Sequence, residues 1–219
     1  MSELPVLTPA SRIVDVVQDA LREAILTGAL RGGEPLSVPE LARRLKVSRS
    51  PVREAVLGLV GQGLAVEQPR RGVVVATIET KDLLAIHEIR EFLEAAAARL
   101  CAQRIDAAGI ARLERIMAEQ AEAVRLRAAD GYFATNAALH REIATHAANA
   151  RLAQILDTLE NQMRLALHRI ATDPTHMEAG YTEHARVVAA IAARDADAAE
   201  QAMRAHIAAT IGRIKAAGV

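Results

Sequence analysis

The sequence predicts a mostly α-helical protein in two parts. Three observations carry this. First, the 219 residues are rich in alanine and leucine, with 51% hydrophobic but only 2% aromatic residues, a composition that favours helices. Second, apolar residues recur at helical spacing along most of the chain. Third, charge and titratable groups are unevenly divided. Residues 1–78 carry ten Lys/Arg against eight Asp/Glu, a net +2, and the rest carries 17 against 19, a net −2. All seven histidines lie beyond Thr80, the first being His87. A boundary near Ile78–Thr80 follows, giving domains 1–78 and 79–219 with no long Gly/Ser linker between them.

The first segment reads as three helices and a hairpin. Ile13, Val16, Val17, Leu21 and Ile25 keep a helical stripe that ends at Gly28, a good residue just past a helix C-terminus. Ser37-Val38-Pro39-Glu40 has the form of a capping box and opens a short helix through Leu41 and Leu45. A turn at Lys46–Val47 leads to Ser48-Arg49-Ser50-Pro51, a second helix start, with Val52, Val56, Leu59 and Val60 facing inward and Gly63 as the stop. A strand at Leu64–Glu67, a basic tip at Gln68–Gly72 and a strand at Val73–Ala76 complete the segment. This order describes a winged helix-turn-helix.

Overall charge is balanced, 27 basic against 27 acidic residues, which at first sight disfavours a nucleic-acid partner. The local balance says otherwise: Glu40–Gly72 holds seven basic and three acidic residues, a net +4. The third helix exposes Ser48, Arg49, Ser50 and Arg53 around its first turn, with the two arginines one turn apart on one face. Such arginines fork onto guanine in the major groove, while serine hydroxyls and helix N–H groups hold phosphates. Arg70 and Arg71 at the wing tip suit the minor groove or the backbone. Spacing alone leaves a solvated basic surface as the alternative. A near-neutral protein should also bind non-specific DNA weakly.

Residues Leu41–Val56, with the string VSRSPVREA at 47–55, then Gly63-Leu64 and Arg71-Gly72-Val73-Val74-Val75, resemble the N-terminal domain of the GntR family of bacterial transcription regulators. The resemblance covers nearly all of residues 10–78. It implies that Ser48, Arg49, Ser50 and Arg53 face DNA, and that Gly72 lets the wing tip approach the groove.

The second segment is expected to be an all-α six-helix bundle. Stripes at 86–100 and 110–124 mark two long helices. A third runs from about Gly131, a fourth follows Asn149 as cap, Asp173-Pro174 breaks the chain, and two more carry Val187–Ile191 and Ala199–Ile214. Three histidines lie on inward rows. His140 continues Phe133, Ala137, Ala144 and Ala147, with Asn136 one turn before it; His184 precedes Val187, Val188 and Ile191; His206 follows Met203. Three imidazoles and an amide oxygen in an alanine-rich interior suit a divalent transition metal of the zinc class, nickel and manganese being alternatives. Three buried neutral histidines bonded to backbone or water would give the same pattern. His87, His146, His168 and His176 fall off these rows and are expected to be solvated. Cys101 is expected to be a core residue, and its solitude excludes an intrachain disulfide and fits a reducing cytosol.

This half resembles the ligand-sensing FCD domain of the FadR-type branch of the same family, in its shorter, VanR-like six-helix version. The carrying residues are Ile89–Glu94, Asn136-x-x-Leu139-His140, Asn149-x-x-Leu152, Glu183-His184, Asp195, Ala199 and Met203-x-x-His206. The resemblance implies a divalent ion held by Asn136, His140, His184 and His206, with asparagine standing where aspartate is common. A neutral ligand set leaves the ion's charge uncompensated and would attract a carboxylate effector. Arg90 matches a cavity-facing family position and is a candidate to bind that carboxylate, the alternative being a surface salt bridge with Glu94; Arg164 is a second candidate.

The expectation is a cytoplasmic, homodimeric transcription regulator, a repressor, binding a palindromic double-stranded operator under control of a small carboxylate. The competing class is a zinc-dependent hydrolase built on the three histidines, but no glutamate sits at metalloprotease spacing. No run approaches ~18 uncharged apolar residues, so no membrane span is expected. The opening MSELPVLTPASR lacks the form of a signal peptide. With no tryptophan and two tyrosines, ligand recognition by stacking is not expected.

Overall fold

Helix α1, Ser11–Leu26, forms because Val17, Leu21 and Ile25 recur on one face, and all three are buried. The computed structural model describes residues 11–167 and 174–216. Helix α2, Val38–Leu45, follows Ser37 at the N-cap. The expected capping box does not form there: the Ser37 side chain makes no cap bond, and Glu40 pairs with Arg43 at 2.7 Å instead. Lys46 adopts left-handed φ of 56° and returns its N–H to Ala42, which turns the chain sharply into α3, Arg49–Gly61.

Helix α3 buries Val52, Ala55, Val56 and Leu59. It ends in a Schellman motif: Leu64 N–H donates to Leu59 C=O at 3.0 Å and Gly63 N–H to Val60 C=O at 3.0 Å, with Gly63 at φ +70°. Strands β1, Ala65–Gln68, and β2, Gly72–Val75, pair antiparallel with Ala65 opposite Val75 and Gln68 opposite Gly72. A third line of pairing was not anticipated from sequence. The segment before α2 lies along β2, with Pro35 opposite Val74, Gly33 N–H on Val75 C=O at 2.9 Å and Leu36 N–H on Val73 C=O at 2.8 Å. It satisfies an otherwise open strand edge and buries Leu36. Helix α1 and helix α2 both pack on α3, and α3 packs on β1. The first compact unit ends at Thr77.

The second unit begins at Ile78. Its described residues form six helices: α4 Thr80–Arg104, α5 Ala107–Arg125, α6 Ala129–His146, α7 Ala150–Leu167, α8 Pro174–Ala192 and α9 Ala196–Ala216. Their starts are chemically defined. Glu79 and Asp82 form a reciprocal capping box on α4. Asp106, Asn149 and Asp195 accept backbone N–H groups of Gly109, Leu152 and Ala198 at 2.7, 3.2 and 3.0 Å. Helix α4 is central, packing against α6, α7, α8 and α9. Ala95, Ala97, Ala98, Cys101 and Ala102 are buried along it, and their small side chains let neighbouring helices come close. Leu113, Leu139, Ile143, Val187, Ile191, Met203 and Ile207 fill the core around them, each worth roughly 1.5–3 kcal/mol on burial. Burial pushes the Cys101 thiol up to about 12, so it behaves as a small apolar group.

Two expectations about histidines are corrected. His87 is buried, with Nδ1 2.9 Å from the Leu83 carbonyl, because α4 is covered on more than one side and a single stripe does not describe it. His146 is half-buried between Glu142 and Arg112. His176 is exposed, and His168 lies outside the described residues. Among the described residues no helix is long and apolar enough to cross a membrane.

Candidate functional site

In the first unit, the tight turn at Lys46 and the N-terminus of α3 place Ser48, Arg49, Ser50 and Arg53 on the exposed side, opposite buried Val52, Ala55 and Val56. Ser48 occupies the N-cap of α3 without making a side-chain cap bond, so its hydroxyl and the first helix N–H groups face outward together. Ser50 lies 3.3 Å from Glu54. Among the described residues, the ion pairs do not engage Arg49, Arg53 or Arg70, whereas Arg43 is tied to Glu40. The wing tip turns on two left-handed residues, Arg70 at φ +65° and Gly72 at φ +74°, and Arg70, Arg71 and Gly72 are all exposed. Arg71 is steadied by Gln68 at 3.2 Å.

In the second unit, α6, α8 and α9 bring His140, His184 and His206 together, all buried, with one ring nitrogen of each within 4.8 Å of the others. His184 Nε2 and His206 Nε2 are 3.2 Å apart. Each ring is held from behind through Nδ1. Glu94 accepts from His140, Gln120 Oε1 lies 2.8 Å from His184 Nδ1, and Glu183 lies 2.8 Å from His206 Nδ1. The carboxylates put the ring protons of His140 and His206 on Nδ1, and Gln120 accepting through Oε1 would do the same for His184, freeing the second nitrogen of each ring. With that arrangement the His184 and His206 Nε2 atoms meet as lone pairs, a contact that a cation between them would relieve. Three converging ring nitrogens with outer acceptors fixing ring orientation form a group that could hold a metal ion.

Protonation states agree. Burial, reinforced by the neighbouring histidines, holds His184 well below the usual imidazole range. Burial also lowers His206, although Glu183 opposes it. Both are therefore neutral near pH 7, as metal ligation requires. Burial would raise Glu94, but Arg90 and His140 outweigh it and hold the carboxyl well below its usual range. Burial likewise opposes ionisation of Glu183, yet hydrogen bonds from Arg213 and His206 take it down to about 2. Arg213 reaches both Glu183 oxygens, at 2.7 and 2.9 Å.

Asn136 stands one turn before His140 on α6, half-buried. Arg90 is buried rather than at the surface. It donates from Nε to Glu94 at 2.7 Å and lies 3.7 Å from Glu160. Arg164 is half-buried on α7. A cavity of about 270 Å³ abuts His140, lined by residues that include Glu94, Ala137, Leu156, Asp157 and Glu160; neither arginine is among its walls. The outer partners Glu94, Gln120 and Glu183 were not singled out from the sequence as such. Only Glu94 and Glu183, flanking recognised positions, left any trace there.

A basic winged helix-turn-helix joined to a helical domain with a buried three-histidine cluster defines a DNA-binding transcription regulator with an all-helical second domain. The comparisons agree: residues 13–75 match the bacterial regulatory proteins of the gntR family and residues 85–209 match the FCD domain. The chain belongs to the GntR family, with an FCD domain as its C-terminal half. It is 30% identical over 207 residues to the HTH-type transcriptional repressor RspR of Escherichia coli, covering 92% of this chain and 88% of that one. It is 28% identical over 177 residues to the Nta operon transcriptional regulator of Aminobacter aminovorans, covering 81% and 82%. The fold is similar to that of E. coli McbR/YncC, with a TM-score of 0.79 over 98% of this chain and 100% of that one at 21% identity. The family and these relatives are transcription regulators, not enzymes, and the hydrolase alternative finds no support.

Proposed function

We propose that the protein is a cytoplasmic homodimeric repressor that binds a palindromic operator, and that a small carboxylate bound beside a divalent metal in the helical unit controls this binding. The observation that carries the sensing half is the convergence of one ring nitrogen from each of three buried histidines, each ring anchored through Nδ1. His140, His184 and His206 would hold the metal, with Asn136 a fourth candidate ligand. Zinc and nickel suit imidazole nitrogens, whereas manganese prefers oxygen ligands; zinc is the first choice. A bound ion would supply a Lewis-acidic centre able to attract a carboxylate. The pairs Arg90–Glu94 and Arg213–Glu183 each cancel, so the ion's own charge remains to attract an anion. Arg90 would have to be released from Glu94 to serve as an effector ligand, and Arg164 remains a candidate on α7.

On the DNA side, Arg49 and Arg53 would read bases, Ser48, Ser50 and the helix N-terminus would hold phosphate, and Arg70, Arg71 and Gly72 would place the wing. Exposed Ile89 and Phe92 on α4 support burial against a second copy. Repression is supported by the named role of RspR. Effector binding would act by favouring one of two dimer geometries. The test is a mobility-shift titration on the gene's own upstream region, with zinc, with chelator, and with a panel of carboxylates. A specific complex released by a carboxylate in a metal-dependent way is expected; a complex indifferent to every carboxylate and to chelator would overturn the sensing mechanism.

A further inference from the structure

With the cavity beside His140 taken as the effector site of the reading above, we propose that it selects a small carboxylic acid that also bears a cationic amine, and that Glu160 recognises the ammonium. The walls carry three carboxyl groups, Glu94, Asp157 and Glu160, against one guanidinium, Arg141. Glu94 is committed to Arg90 and His140. Asp157 has Arg141 3.9 Å away, both side chains more than half exposed. Glu160 is different. The residue is only 9% exposed, and its Oε2 has no hydrogen-bond partner among the described residues. Arg90, the nearest cation, is 3.7 Å away and already bonded to Glu94 at 2.7 Å. A buried carboxylate oxygen left without a donor is costly, and a donor supplied by a ligand removes that cost.

A plain carboxylate finds little complement on these walls, because three carboxyl groups face one cation, Arg141, which already lies 3.9 Å from Asp157, and the remaining residues beyond His140 are neutral. A zwitterion fits both ends: its carboxylate on the side of His140, its ammonium toward Glu160, with Ala137, Ala144 and Leu156 around a short apolar body. The small volume, about 270 Å³, excludes long acyl chains and favours a compact ligand. An ammonium–carboxylate hydrogen bond to a carboxylate as buried as Glu160 is charge-assisted and discriminates against a neutral hydroxyl in the same place.

The experiment measures binding to zinc-loaded protein, by calorimetry, of matched pairs that differ only in ammonium against hydroxyl: alanine and lactate, aspartate and malate, serine and glycerate. The expected result is that the amino acid of at least one pair binds about tenfold or more tighter than its hydroxy partner, and that Glu160→Gln erases the preference without loosening zinc. Hydroxy acids binding as tightly as amino acids would overturn the proposal while leaving a carboxylate effector standing. So would a preference unchanged in Glu160→Gln, which would mean that water satisfies this oxygen. Failure of every pair, with or without zinc, would remove the effector reading itself. If Glu160→Gln does not fold, the preference of the unaltered protein across the pairs decides the matter, and Glu160→Asp should weaken it.

Discussion

Glu94 accepts the Nδ1 hydrogen of His140, and this bond decides which ring nitrogen His140 turns toward His184 and His206. Removing the acceptor charge should therefore loosen the metal without removing a ligand. Glu94→Gln should weaken zinc binding by about 10–100-fold, whereas His140→Ala should lose more. Competition against a chromophoric chelator reads both. Glu94→Gln also deprives buried Arg90 of its partner, so a lower melting temperature is expected alongside. Zinc affinity unchanged in Glu94→Gln would show that the His140 ring is oriented by packing alone.

The exposed arginines of α3 and of the wing should separate by function. Arg49→Ala or Arg53→Ala should cost about 1–3 kcal/mol on the operator and relax sequence preference. Arg70→Ala and Arg71→Ala should instead weaken operator and random DNA alike, and each should flatten the salt dependence by about one phosphate contact. Fluorescence anisotropy across a salt series on both DNAs measures this. Uniform weakening by Arg49→Ala would remove it from base recognition.

The helices and their inward histidines were legible because apolar spacing reports one buried face, and His140, His184 and His206 each lie on such a face. What was hidden involved contacts between distant segments. Gln120, on α5, meets His184 across 64 positions, and nothing in its local sequence marks it. Glu94 sits one turn from Arg90, which spacing alone reads as a surface pair. Both are buried because α4 is enclosed by four other helices. The same enclosure explains His87. The strand-like segment at Gly33–Leu36 escaped because its pairing is made by only a few backbone bonds to β2.

A glycine inside α8 makes a test of packing in the second, helical unit. Gly180 is where α8 meets Tyr132 of α6, and a Cβ there would overlap the tyrosine Oη. Tyr132 is buried and cannot swing away freely. Gly180→Ala should destabilise by about 1–3 kcal/mol despite the helix propensity that alanine adds. Adding Tyr132→Phe removes the overlapping oxygen and should recover part of the loss. Thermal denaturation of the single and double variants checks this; a Gly180→Ala variant more stable than the parent would show that α6 and α8 can separate at no cost.

Acid should destabilise the metal-free protein in two stages. Burial holds His87 down to about 4, and holds His184 and His206 below their ordinary value as well. An unfolded histidine titrates near 6.5, so between about pH 6.5 and 4 the unfolded chain binds more protons than the folded one, and stability falls as pH drops. His87 alone contributes roughly 3 kcal/mol to this loss at its acid end. Glu94 and Glu183, both held low in the folded state, add their loss only below the ordinary carboxyl range, near 4.5. Melting temperatures of chelator-treated protein should therefore decline already between about pH 7 and 5, ahead of the main loss from Glu94 and Glu183. Zinc should raise the melting temperature most at neutral pH and progressively less toward pH 5, because protons compete for the same Nε2 atoms. A flat profile from neutral pH to 5 in the metal-free protein would mean that these histidines take up protons in the fold as easily as in water.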